Sequence, residues 1–405
     1  AASPPEVCRP AVLGAGVMGG AIAQLMADKA GLPVRVKDLQ AGAISTALQH
    51  AAALFDRQVR RRRLRPAEMR RKMGLLQPTL GEAGLASSDF VLEAVVENLA
   101  VKQQLFNELS RRLAPTAILA TNTSSLSIDD IGQHATRRER VVGMHFFNPV
   151  DRMPLVEVIA GSLTGETAVR ATTAFARRLG KTPVVVRDSP GFLVNRLLAF
   201  YSAEAMWLLD EGHQVEVIDR TLVDWGMPMG PLRLADEVGL DVSAKVGSIL
   251  HAAFPDRLLF PAWLDRIAED KGRLGVKSGK GIYLYKDGHE QGADPATYAI
   301  LQLTPQAELA PPPAERLILP MVNEAARCLA ESIVEGPGPL DLALVFGIGF
   351  PPFRGGLCRW ADEQGLDNIV QQLESLAAAR GPRLAPSDAL RKFAARGGFY
   401  SSPSS

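Results

Sequence analysis

The stretch PAVLGAGVMGGAIAQLMADKAGLPVRVKD, residues 10–38, holds an apolar run, a glycine-rich turn, an apolar helical pattern and a β-rich run ending in an acid. Gly14-Ala15-Gly16-Val17-Met18-Gly19 fits the spacing GxGxxG. Glycine-rich turns are common, so the spacing alone decides little. Its setting decides more: a predicted strand at 10–16 precedes it, a predicted helix runs from Met18 to Asp28, and a second strand at 34–38 follows. Gly14 permits the tight turn, Gly16 lets a pyrophosphate approach the backbone, and Gly19 lets the helix pack closely on the strand. The helix N-terminus adds free N–H groups and positive potential for phosphates. Asp38 is placed to accept hydrogen bonds from ribose hydroxyls, and its charge repels a 2′-phosphate, so NAD is expected rather than NADP. Lys37 points to the opposite face of an extended strand. An ordinary turn role for Asp38 is the plainer alternative, and the glycines weigh against it.

Outward from this unit, further strands are predicted at FVLEAVV (90–96), AILATNTS (117–124), RVVGMHFFN (140–148), LVEVIAG (155–161) and TPVVVRD (182–188), with helical segments between. Strands alternating with helices imply βα units and a parallel sheet. After SPGF (189–192) β-branched runs nearly vanish and helical patterns take over, which sets the main domain boundary. The helical half repeats itself: RLLAFYSAEAMWLLDEG…DWGMPMGPLRLADEVGLD (196–241) lines up with RLILPMVNEAARCLAES…GIGFPPFRGGLCRWADEQGLD (316–367). The matches keep one order, which argues for duplication, with the copies packing as two subunits of a dimer would. A polar, Pro-rich stretch near 286–313 reads as a linker. The expected domains are 1–188, dinucleotide-binding; 189–290, a first helical copy; and 291–405, linker and second copy. That second copy lacks the PGFxxN start and is expected to be a buttress.

At 405 residues the chain exceeds a single core of roughly 250–300 residues. A hydrophobic share of 47% with a net charge of +1 implies a globular protein with no global pull toward nucleic acid or membrane. Cys8, Cys328 and Cys358 are odd in number and far apart, against a disulfide framework or a metal site and for a reducing compartment. No stretch reaches the roughly 20 apolar residues of a membrane span.

The segment GMHFFNPVDRMPLVEVIAG, 143–161, sets His145 and Glu157 symmetrically about Asp151 in otherwise apolar strands. If the flanks fold back on each other, the two side chains meet. A carboxylate between Val156 and Val158 is costly to bury unless paired. Imidazole is its natural partner, with one ring nitrogen on Glu157 and the other facing a substrate, a general-base dyad. A lone histidine on an apolar strand is more often a core residue; the pairing and the nucleotide fold shift that balance. Asn122, Thr123, Ser124 and Ser125 end a strand on the ligand side of an open α/β sheet, and Asn195 sits in PGFLVNR. These groups suit a substrate hydroxyl and carbonyl, or else helix capping.

With VLGAGVMGG, EAVVEN, NTSSL, GMHFFNPV…MPLVEVI, DSPGFLVNR, PMGPLRLADEVGLD, SGKGIYLY, PMVNEAARC and VFGIGFPPFRGG in order, the whole chain resembles the L-3-hydroxyacyl-CoA dehydrogenase family. It is most similar to the dehydrogenase half of the multifunctional α-subunit of bacterial fatty-acid oxidation complexes. The resemblance implies an α/β Rossmann-type domain followed by duplicated all-α C-terminal domains, and NAD-dependent oxidation of L-3-hydroxyacyl-CoA in β-oxidation. It makes His145 the base, Glu157 its orienting carboxylate, Ser124 the serine near nicotinamide and substrate hydroxyl, and Asn195 the substrate-steadying asparagine. Met18, Asp38, Val95, Val96, Glu97, Lys102 and Asn148 match NAD-contacting positions. Phe346 stands where some relatives carry a substrate-contacting tyrosine, keeping the ring and losing the hydroxyl. Multifunctional relatives carry an enoyl-CoA hydratase half ahead of the dinucleotide motif; this chain starts a few residues before that motif, so no hydratase activity is expected from it.

The basic run RQVRRRRLRPAEMRRK, 57–72, has helical periodicity that spreads its charges around most of a helix, as a solvated face does. The resemblance places a CoA-binding excursion here, and one or two of Arg60 to Arg63, with Arg61 and Arg62 as candidates, suit the 3′-phosphate-ADP of CoA. No metal is expected. A cytoplasmic monomer with an internal pseudo-dimer is expected, with a thiolase or hydratase of a β-oxidation complex as partner. The competing readings are another β-hydroxyacid dehydrogenase, acting without CoA, and a non-catalytic subunit that docks NAD and CoA thioesters.

Overall fold

Short runs rich in Val, Ile and Leu, each closed by a glycine or polar turn, form the strands of the first half. In the computed structural model, which describes residues 4–401 except 262, 264, 265, 268, 269, 271, 307 and 308, they are β1 (Pro10–Leu13), β2 (Val34–Lys37), β3 (Leu76–Thr79), β4 (Phe90–Glu93), β5 (Ile118–Thr121), β6 (Val141–Phe146), β7 (Leu155–Ala160) and β8 (Thr182–Arg187). They join one sheet in the order β3-β2-β1-β4-β5-β6-β7-β8. The first six keep the order of dinucleotide-binding folds, whose ligands lie beyond the carboxyl ends of the strands. Only the β6–β7 pair is antiparallel in this sheet. The helices α1 (Val17–Leu25), α2 (Ala41–Arg60), α3 (Pro66–Met73), α4 (Leu99–Arg112), α5 (Ile128–Ile131) and α6 (Glu166–Arg178) connect them. β1, β4, β5 and β6 are buried along their whole length, as central strands covered on both faces must be.

β3 was not expected. Its sequence LQPT has no apolar alternation, and Pro78 cannot donate to a ladder on both sides, which confines it to the sheet edge where it lies. α1 is shorter than predicted and passes into one π-helical turn at Met26–Ala30. The basic run is not one helix: α2 stops at Arg60, Arg62 takes φ +55°, and α3 opens at Pro66.

The chain divides after Phe192 into two units, Ala1–Phe192 and Leu193–Ser405. In the second, α7 (Val194–Asp210) packs against the helix Glu315–Ala330. Arg196 Nε donates to Glu324 Oε1 at 2.7 Å, and Arg316 Nε donates to Glu204 Oε1 at 2.5 Å. Each arginine also meets a second carboxylate, Glu331 for Arg196 and Glu211 for Arg316, both at 2.8 Å. Asp219 caps the backbone N–H groups of Leu232 and Arg233 and accepts the Tyr283 hydroxyl; Asp341 caps Cys358 and Arg359 and accepts the Tyr400 hydroxyl. The stretch expected to be a linker carries structure instead. Strands Tyr283–Lys286 and His289–Ala293 form a hairpin about Asp287-Gly288, both at positive φ, and a helix covers Pro295–Leu301.

Candidate active site

The glycine-rich turn divides its labour among three glycines. Gly14 has φ +93°, and a Cβ there would lie 2.5 Å from the Ala94 carbonyl oxygen; at Gly19 a Cβ would lie 1.9 Å from the Gly14 carbonyl oxygen. Both are fixed by the protein's own packing. Gly16 is different: it has φ −65°, which any residue adopts, is exposed, and a Cβ there would meet nothing within 4 Å. Its missing side chain leaves room at the N-terminus of α1, where backbone N–H groups favour an anion. Three large apolar side chains just beyond the neighbouring strands β1, β2 and β4 are left bare, Val17 at 76%, Leu39 at 86% and Val96 at 67% exposure. Apolar surface gathered this way marks a ligand site. Asp38 ends β2 and latches the turn, its Oδ2 accepting the Ala15 N–H at 2.7 Å and its Oδ1 that of Gln40 at 2.9 Å. Lys37 turns aside to Glu82, 3.5 Å away. These residues fit a dinucleotide with free ribose hydroxyls.

The reversal of β7 against β6 sets His145 directly opposite Glu157. The Nδ1 to Oε2 distance is 2.8 Å; His145 is buried and Glu157 fully so. The rings of Phe147 and Phe192 lie 4.6 and 5.8 Å from the imidazole, so apolar walls enclose the pair. With Nδ1 committed to the carboxylate, Nε2 is the nitrogen left for other work. Asn122 fixes the end of β6, its Oδ1 accepting the Phe146 N–H at 2.9 Å. Lys181 steadies the intervening turn, donating to the carbonyls of Val150 and Met153 at 2.5 and 2.6 Å.

Between these two sites runs a buried network. Glu93 ends β4 with no exposed surface; its Oε1 accepts the Val95 N–H at 2.7 Å and Lys102 Nζ at 2.5 Å, and its Oε2 accepts the Thr121 hydroxyl at 2.7 Å. Lys102 also meets Glu97 at 3.2 Å. Glu97 in turn accepts the Thr123 hydroxyl at 2.5 Å and the Ser124 N–H at 3.1 Å. Burial pushes the Glu97 carboxyl up, but Lys102 and these hydrogen bonds outweigh it and hold it below the usual carboxylate range. Sequence reasoning placed Lys102 against the cofactor; its side chain is only 1% exposed and turned inward beneath Glu97. Glu93 was missed altogether, although a carboxylate closing the apolar strand FVLE was the same kind of signal as Glu157.

The remaining candidates are more scattered. Met18 lies half-buried in α1, Val95 is half-buried after β4, and Asn148 is exposed in the β6–β7 turn. Asn195 opens α7 and Phe346 lies in the helix Pro337–Ile348, both partly exposed within the second unit. Arg61 and Arg62 are exposed and make no ion pair among the described residues, whereas Arg60 pairs with Asp56, Arg65 with Glu68 and Lys72 with Asp28. No cluster of three metal-ligating side chains occurs among the described residues, and no helix there is long and apolar enough to cross a membrane.

Residues 9–189 match the family model described as 3-hydroxyacyl-CoA dehydrogenase, NAD binding domain, and residues 191–285 match its C-terminal domain. The fatty acid oxidation complex subunit alpha of Shewanella amazonensis is 44% identical over 399 residues, 98% of this chain and 56% of the relative. The chain thus spans about half the length of the curated relatives it matches. A 3-hydroxybutyryl-CoA dehydrogenase from Escherichia coli superposes with a TM-score of 0.85 at 29% identity, over 96% of this chain and 99% of that one. An (S)-3-hydroxybutyryl-CoA dehydrogenase from Ralstonia eutropha is 36% identical, with a TM-score of 0.66, over 70% of this chain and 100% of that one.

Proposed function

Because the chain belongs to the 3-hydroxyacyl-CoA dehydrogenase family, we propose that it oxidises the C3 hydroxyl of an L-3-hydroxyacyl-CoA to the ketone, with NAD as cofactor. The observation that carries this reading is the His145–Glu157 pair at 2.8 Å, on the same sheet as a glycine turn whose Gly16 is open to a ligand. NAD, when bound, supplies the hydride acceptor. His145 Nε2 takes the proton from the C3 hydroxyl, while Glu157 holds the ring through Nδ1 and balances the charge that the imidazolium gains. Ser124 is the hydroxyl beside the reacting oxygen. Asn195 and the ring of Phe346 serve the acyl-CoA, and Arg61 and Arg62 are the candidates for its 3′-phosphate-ADP. Met18, Asp38, Val95, Val96, Glu97 and Asn148 serve the dinucleotide.

The test is NADH oxidation driven by acetoacetyl-CoA, set against free acetoacetate and against NADPH, with His145→Ala alongside. The expected outcome is turnover with the CoA ester and NADH alone, reduced about 10²–10⁴-fold by the substitution. Dinucleotide binding without turnover would indicate a docking subunit, and equal turnover of free acetoacetate another β-hydroxyacid dehydrogenase.

The helical unit is read as a duplication. Its support is the reciprocity of Arg196–Glu324 with Arg316–Glu204, and of the two aspartate caps, each pair built from residues at matching places in the repeat. A role in fatty-acid oxidation beside partner proteins is supported by the relatives' name, which is that of a complex subunit; a cytoplasmic chain, monomeric by itself with this internal pseudo-dimer, and a thiolase or hydratase as its partner complete the proposed reading. A stable homodimer in light scattering would refute the monomer.

A further inference from the structure

The repeat in the helical unit supplies an internal comparison. Trp207 and Arg327 hold the same place in the two copies, each just after its buried glutamate, Glu204 or Glu324. In the first copy the indole occupies that place: Trp207 Nε1 donates to the Leu259 carbonyl at 2.9 Å, and the Arg383 guanidinium lies 4.4 Å over the ring. The second copy has no indole there, and a cavity of about 390 Å³ opens, lined by Phe200, Arg257, Pro320, Asn323, Glu324 and Arg327 among others.

Arg327 is poorly matched inside this cavity. Glu324 already accepts Arg196 Nε at 2.7 Å and Arg257 Nε and Nη2 at 3.1 and 3.0 Å, and Glu331 meets Arg196 at 2.8 Å. Arg327 reaches only Glu324, at 3.5 Å, and its Nε is buried without a hydrogen bond. Its two Nη groups and Arg257 Nη1 make no hydrogen bond or ion pair among the described residues. Burial holds the Arg327 guanidinium below its ordinary value, and Arg257 and Arg196 press the same way against the pull of Glu324 and Glu331. Asp256 and Asp388 also line the cavity, but both are exposed, and solvent and salt screen them more than the half-buried arginines. The helix Asp388–Ala395 begins at the cavity wall and adds the positive end of its dipole.

We propose that this cavity binds the phosphate group of a small metabolite, with the Nη groups of Arg327 and Nη1 of Arg257 as donors. Guanidinium groups suit an oxyanion, and donors from two side chains engage the several oxygens of a phosphate more fully than the two of a carboxylate. All of these residues belong to the unit Leu193–Ser405, so the site stands whether or not the dehydrogenase reading holds.

Calorimetric titration of the whole chain with inorganic phosphate, and with succinate at the same ionic strength, tests the site in the parent, Arg327→Trp, Arg327→Gln and Arg391→Gln. Arg327→Trp puts the indole of the first copy into the cavity, and Arg391, paired with Glu374 on the surface, controls for the loss of one positive charge. The parent should bind phosphate saturably and more tightly than succinate. Both Arg327 variants should bind phosphate at least about tenfold more weakly, and Arg391→Gln should stay within about twofold of the parent. A parent that takes up no phosphate overturns the proposal. So does phosphate binding that persists in both Arg327 variants, which would place the ion elsewhere, at the glycine turn for instance. Succinate binding as tight as that of phosphate overturns the choice of phosphate. Should Arg327→Trp fail to fold, Arg327→Gln, which leaves the cavity open and removes only the charge, carries the same test.

Discussion

Replacing Glu157 by glutamine separates the charge of the dyad from its geometry. The register of β6 and β7 places the carboxylate 2.8 Å from Nδ1, and the fully buried site holds an isosteric amide without a cavity. The amide oxygen still accepts from Nδ1, so the ring keeps its tautomer and the substitution leaves the resting pair intact. What disappears is the attraction that exists only after His145 has taken the proton. A hydrogen bond to a charged group contributes about 1.5–3 kcal/mol. At about 1.4 kcal/mol per factor of ten, kcat should fall roughly 10- to 100-fold. Because the loss arises in the transition state, kcat and kcat/KM should fall together while KM for the acyl-CoA holds. Steady-state NAD⁺ reduction with an L-3-hydroxyacyl-CoA, the direction in which His145 takes the proton, reads this directly, and thermal unfolding checks that the variant is folded. A kcat within about threefold of the parent would refute the role given to Glu157.

The glycines offer a second dissection. Gly16→Ala should fold as stably as the parent yet bind dinucleotide at least tenfold more weakly, whereas Gly14→Ala should lose stability outright because its Cβ meets the Ala94 carbonyl; thermal unfolding beside a fluorescence titration distinguishes them, and unchanged binding in Gly16→Ala would contradict the site. Glu97 has a folded pKa below its unfolded one, so on acidification the unfolded chain takes up the proton first. Its contribution to stability is therefore present near neutral pH and lost as pH falls through the folded value. Urea unfolding should show Glu97→Gln destabilised at neutral pH with a flatter acid limb; a limb as steep as the parent's would count against it. Arg316→Met removes the nearest partner of buried Glu204 and should cost about 3–5 kcal/mol in denaturant unfolding, and a loss under about 1 kcal/mol would show that Arg383, 3.3 Å from the same carboxylate, suffices alone.

Elements whose sequence carries a period or a turn signal were legible from residues alone. The glycine turn, the central strands and the facing of His145 with Glu157 all follow from such signals, because a one-residue slip of β7 would bury a different face. β3 was hidden because LQPT at a sheet edge has neither alternation nor burial to enforce it. The Tyr283–Ala293 hairpin was hidden by the polarity around it, although Asp287-Gly288 is the dipeptide that a tight hairpin turn prefers. Glu93 shows a further limit. Its partner Lys102 lies on the next helix, and only the packing of α4 on the sheet decides which face of that helix reaches β4.

The reciprocal arginine–glutamate seam has a bearing on dilution. Two separate chains held by such a contact would part as their concentration fell, each then carrying a buried-type guanidinium and carboxylate into water. Here both partners lie on one chain, and tethering replaces the bulk concentration by an effective one that does not change with the amount of protein present. The seam therefore stays closed in a cell that makes few copies of the molecule as it does in one that makes many.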